Sequence, residues 1–85
     1  MWPTHPSRHQ IEMEIRRLMH IQADIDYRIF ELEQLRSRIL SDPIPSSYDR
    51  ERIAQIDAEI SRLNFHRKEI ERRIAYLRDL LHKIW

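Results

Sequence analysis

Five histidines are the first residues to weigh for chemistry, because a neutral imidazole binds transition metals and its ordinary pKa, about 6.5, lies close to physiological pH. They stand at His5, His9, His20, His66 and His82. His5, His9 and His82 are expected at one end of the molecule, together with Trp2 and Trp85. No HExxH or Glu-x-x-His pattern accompanies them, and His5 precedes the first expected helix, so it does not form a helical ligand pair with His9. No metal and no other cofactor is expected. His66 is the histidine placed for a pH response, because its expected position faces Ile21 at the edge of the core, where a new charge would loosen an interface.

Other chemistries are excluded by what the chain lacks. Without cysteine or glycine there is no thiolate nucleophile, no Cys-based zinc site and no glycine-rich phosphate loop. No nucleophile, base and orienting group stand at related spacings, so neither an enzymatic activity nor a small-molecule substrate is expected. The basic stretch Arg62, Arg67, Lys68, Arg72, Arg73 and Arg78 is interleaved with Glu69 and Glu71, and the whole chain balances 15 basic against 14 acidic residues. That balance reads as a solvated, ion-paired face; a nucleic-acid-binding hairpin is the weaker alternative. The first residues lack the apolar run of a signal peptide, and no window approaches a membrane span of about 18 apolar residues, so a soluble, cytoplasmic protein without a membrane partner is expected.

The elements behind these residues follow from the prolines. All four fall in two places, Pro3 and Pro6 near the start and Pro43 and Pro45 in the middle, and they delimit two long blocks free of proline and glycine. Ser7-Arg8-His9-Gln10 fits the capping box, in which the serine hydroxyl accepts a backbone N–H and Gln10 reaches back. Helix one is therefore predicted over about 8–41, a connector over 42–46, and helix two over about 47–84. Ser46 or Ser47 is the expected cap of the second helix, with Asp49 near its positive end.

Both blocks carry heptad rows. In helix two the a row is Ile53, Ile60, Arg67, Ile74 and Leu81, and the d row is Ile56, Leu63, Ile70, Leu77 and Ile84. In helix one the d row is Ile11, Leu18, Ile25, Leu32 and Ile39, and the a row is Ile15, Gln22, Ile29 and Arg36. Two seams of matched length, joined by a connector too short to run back along a helix of about 50 Å, predict an all-α antiparallel two-helix hairpin within a single domain. Folding back near residue 44 brings together residues whose numbers total roughly 88 to 90. The expected flanking neighbours are Glu12 with Arg78, Asp26 with Asn64, Glu33 with Asp57, Glu14 with Arg73, and Arg28 with Glu59.

Gln22 and Arg67 interrupt otherwise apolar rows and are expected within a turn of each other, with Asp26 and Asn64 nearby. Two readings stay open for these four. They form a polar layer that penalises slipped registers, or Arg67 lays its methylenes on the seam and carries its charge to water.

Apolar residues outside the seam widen the sticky surface: Ile21, Leu35, Met19, Leu40, Met13, Tyr27 and Phe30 on helix one, and Phe65, Tyr76 and Leu80 on helix two. Ala54, Ala58 and Ser61 lie on a flank of helix two where a neighbouring helix could approach closely. Self-association is expected, first as a homodimer of hairpins forming a four-helix bundle and second as a six-helix trimer.

The whole chain resembles designed helical-hairpin bundles. The resemblance is carried by two matched heptad helices, a short Ser-Asp-Pro connector, the absence of Gly and Cys, thirteen Ile with no Val, and the central polar residues. The chain departs from that pattern in its thirteen Arg against two Lys, its four Ala and its irregular first six residues. The resemblance implies a non-catalytic, self-assembling scaffold in which hydrogen bonds set specificity. The alternative is a natural coiled-coil adaptor whose extra apolar stripe receives a partner's helix.

Overall fold

The computed structural model describes residues 7–84, with side chains as far as Lys83. His5, Trp2 and Trp85, read above as part of an end cluster, and the Ile84 side chain lie outside the described residues. Two helices, α1 (Arg8–Leu40) and α2 (Ser47–Ile84), pack against each other as a hairpin measuring 66 by 18 by 16 Å. No described helix is long and apolar enough to cross a membrane.

Each helix begins on a serine. At α1 the Ser7 Oγ accepts the Gln10 N–H at 3.2 Å, and the Ser7 N–H donates to Gln10 Oε1 at 2.9 Å, a full capping box. At α2 Ser46 repeats the arrangement: its Oγ accepts the Asp49 N–H at 3.1 Å and its own N–H reaches Asp49 Oδ2 at 3.4 Å. Asp49 thus closes the cap and also sets a negative charge at the positive end of the helix. The end of α1 must be built without glycine, and no described residue adopts positive φ. Ser41 satisfies the carbonyls by donating its N–H to Ser37 and Arg38 and its hydroxyl to the Arg38 carbonyl at 2.6 Å. Asp42 Oδ1 then accepts the Ile44 N–H at 3.1 Å, which turns the chain into the two prolines.

The core is one seam. Ile11, Ile15, Leu18, Ile25 and Ile29 bury against Ile70, Ile74 and Leu77, and Leu32 and Ile39 bury against Ile56 nearer the connector. Ile53, Ile60, Leu63 and Leu81, placed in the core by their heptad positions, are only half-buried and line its edge. The reason is geometric: a pair of helices covers one stripe of each and leaves the flanks open to water.

The flanking register meets the sequence expectation on one side of the seam, where the expected Arg28–Glu59 pair forms, and departs from it on the other. Arg28 meets Glu59, whose numbers total 87, whereas on the opposite side of the seam Asp26 meets Arg67 and Arg36 meets Asp57, both totalling 93. A single total near 89 cannot serve both sides, because g residues precede their seam neighbours on both helices while e residues follow them. Glu12 consequently pairs with Arg8 on its own helix and not with Arg78, which reaches Met19 instead. Asp57 is held by Arg36 and not opposed by Glu33, and the partner of Asp26 is Arg67, not Asn64.

At a fixed protein concentration, Ile25→Ala and Ile70→Ala are each expected to cost about 2 to 5 kcal/mol in urea denaturation. Ile44→Ala, at a connector residue 82% exposed, should stay within about 0.5 kcal/mol. Equal losses at all three positions would mean that the seam is not the core.

Candidate functional interface

Among the described residues no polar or charged residue is fully buried, so the polar members of the seam must leave it somewhere. Three of them occupy a positions, and all three leave in the same direction. Gln22 Nε2 donates to Glu71 Oε1 at 3.4 Å, Arg36 Nε to Asp57 Oδ1 at 2.7 Å, and Arg67 Nη1 to Asp26 Oδ1 at 3.2 Å. In each case a polar a residue reaches a carboxylate at the e position of the other helix, and each pair of numbers totals 93. Arg67 is the most constrained of the three. Its Nε is buried and lies 3.8 Å from Glu71 Oε1, outside hydrogen-bonding distance, so the methylenes stay on the seam while the guanidinium tip emerges toward Asp26.

Of the four residues assigned to a polar layer, Gln22, Arg67 and Asp26 therefore come together, joined through Glu71. Asn64 is half-buried and stands outside the contacts that join these residues. Glu71 and the Arg36–Asp57 pair were missed by sequence reasoning. The signal for both was present: Arg36 interrupts the same a row as Gln22, and in an antiparallel pair an a side chain reaches the e position of its neighbour.

The other side of the hairpin is electrostatically different. Arg28 meets Glu59 at 3.4 Å, and Glu14 is bound by Arg17 one turn along its own helix at 2.7 Å. The Arg17 hydrogen bond, with the charges of Arg17 and then Arg73, holds the Glu14 carboxyl below its ordinary value of 4.5. Arg17 is pushed up correspondingly by Glu14, and Lys83 by Asp79. The guanidiniums of Arg52 and Arg73 lie over the rings of Tyr48 and Tyr76, at 5.7 and 5.3 Å. His66, expected at the core edge opposite Ile21, is exposed, because its g position points past the seam into solvent.

Several large apolar side chains remain uncovered. Met13, Met19, Tyr27, Phe30 and Leu40 on α1, and Tyr48, Phe65 and Tyr76 on α2, are each between 48% and 67% exposed. Ala54, Ala58 and Ser61 are exposed beside them. No group of three or more His, Cys, Asp or Glu side chains suited to a metal occurs among the described residues. A broad depression of about 540 Å³ on the outer side of α1, lined by His9, Gln10, Met13, Glu14, Arg16, Arg17 and His20, holds no arrangement of nucleophile and base. No protein-family model matches the chain, and neither a curated protein nor a solved structure does.

The Glu14 site provides a test of the register. A carboxyl held low contributes stability that is complete above the ordinary value of 4.5 and is lost as pH falls through the lower folded value. Carboxyl titration by NMR should place the Glu14 midpoint below 4.5, with Arg17→Gln raising it most and Arg73→Gln raising it less. An unmoved midpoint in Arg73→Gln would separate Arg73 from Glu14 and overturn the pairing on this side.

Proposed function

We propose that this chain is a non-catalytic oligomerisation module, a helical hairpin that completes its core by pairing with further copies of itself. The observation carrying this reading is surface that the hairpin leaves open. Its accessible area is 6920 Å² for a mass of 10.6 kDa, whereas a compact monomer of that mass exposes about 5,500 Å². Large apolar side chains such as Tyr27, Phe30 and Phe65 are all more than half exposed on that surface. Removing about 25 cal/mol per Å² of apolar surface from water favours association without demanding any specific chemistry.

The polar a residues give that module a second property in this reading: they select the register. Gln22, Arg36 and Arg67 have a carboxylate across the seam all at once in the observed alignment, and a one-heptad slip in either direction breaks that set. Such a slip would set Gln22 against Arg78 or Asn64, Arg36 against Asn64 or Arg50, and Arg67 against Glu33 or Met19, so at most one of the three would keep a carboxylate. Their value is thus in excluding alternatives, since half-exposed ion pairs contribute only about 0 to 1 kcal/mol each.

Two measurements test these statements. Absolute mass by light scattering over a dilution series should give a dimer that persists well below micromolar concentration; a monomer throughout would overturn self-assembly and make a partner protein's helix the leading occupant. The triple variant Gln22→Leu, Arg36→Leu, Arg67→Ile should melt higher than the parent while its mass distribution broadens. One sharp mass in the triple variant would show that these residues do not select the register.

A further inference from the structure

We infer that the second copy docks on the side of the hairpin carrying the Asp26–Arg67 and Arg36–Asp57 pairs, with α1 of each copy laid across α2 of the other. This deepens the proposed self-assembly and rests on it. The two broad sides of the hairpin are not equivalent. The opposite side bears Tyr48 and Tyr76, each already under an arginine of its own chain. On the chosen side Met19, Phe30 and Leu40 are 48%, 55% and 50% exposed, and of these Met19 is reached by Arg78 of its own chain.

Their heights along the hairpin decide the arrangement. Flanking pairs total 87 on one side and 97 on the other, for Arg28 with Glu59 and Met19 with Arg78, so residues level across the seam total about 92. Phe30 is therefore level with position 62, beside Ser61. Met19 is level with position 73 and Leu40 with position 52, each within about 3 Å of rise of a small residue, Ala75 and Ala54. A two-fold axis parallel to the helices preserves height and exchanges α1 for α2, so each large residue of one copy meets a small residue of the other.

A recess is present where this arrangement needs one. Met19, Gln22, Glu71, Ile74, Ala75 and Arg78 line a notch of about 230 Å³, at the height where Met19 of the second copy arrives over Ala75. Lys68, level with position 24, comes within about 3 Å of rise of Asp26 across the interface. The face also has the required size. The 33 residues of α1 at about 1.5 Å each, across the 18 Å width of the hairpin, offer about 900 Å² per copy, against about 800 Å² per partner in stable complexes.

The chain has no cysteine, so single introduced thiols report unambiguously. Two differently tagged chains, one Phe30→Cys and the other Ser61→Cys, are refolded together, oxidised and resolved by mass, with circular dichroism verifying helicity and light scattering giving the oligomer. The expected result is a dimer with a disulfide between the two different chains. Linkage of Phe30→Cys chains to each other would mean that α1 crosses α1, and would overturn the arrangement. Linkage only in the pair Glu31→Cys with Arg62→Cys, on the opposite side, would overturn the face while leaving self-assembly intact. A monomer in every mixture overturns both. As a second readout, Phe30→Asp should weaken the dimer by roughly tenfold or more while the hairpin stays helical, because Phe30 is exposed within the single chain.

Discussion

The apolar seam between α1 and α2 is the interaction on which the rest of this protein depends. Among the described residues there is no disulfide and no third element, and the two buried clusters both lie along the stripe that each helix turns toward the other. Helices of 33 and 38 residues gain most of their stability from such packing, since propensity alone is marginal in water. Caps, connector and ion pairs act on the geometry of this seam more than on its strength.

Polar residues in the seam illustrate how that geometry is kept. Gln22, Arg36 and Arg67 sit where an isoleucine would pack better, and each resolves the conflict by reaching sideways to a carboxylate on the other helix. The result lies between a buried polar layer and a free surface charge. Arg67 keeps its stem against the core and its tip in contact with Asp26, so it avoids full desolvation of its charge. Because all three exits point to one side, the two faces of the hairpin acquire different characters. One carries cross-helix ion pairs beside the exposed Met19, Phe30 and Leu40; the other carries tyrosines under arginines.

The connector shows a comparable economy of means. A helix usually ends on a left-handed glycine, but here Ser41 and Asp42 cap the last carbonyls and turn the chain with side-chain hydrogen bonds, and two prolines prevent the helices from merging. A short connector without glycine restrains the hairpin to its antiparallel form and leaves the seam to select the alignment.

Most of the fold was legible in the sequence because its determinants are local. The Ser7 capping box, the prolines at 43 and 45, and the three- and four-residue spacing of Ile and Leu mark where each helix runs and which stripe it buries, and the observed helices follow them. Asp49's reciprocal bond to Ser46 and the Gln22–Glu71 and Arg36–Asp57 contacts were not read from it, although the residue types were in place. Heptad rows determine which residues face the seam, but only the packed pair decides how far each side chain leans out of it. The flanking partners therefore total 87 on one side and 93 to 97 on the other, and Glu12, Glu33 and Asn64 lost the partners that a single total assigned them. Periodicity along one helix is a property of the chain alone, whereas the offset between two helices and the exposure of Ile53, Ile60 or His66 arise only when both surfaces meet.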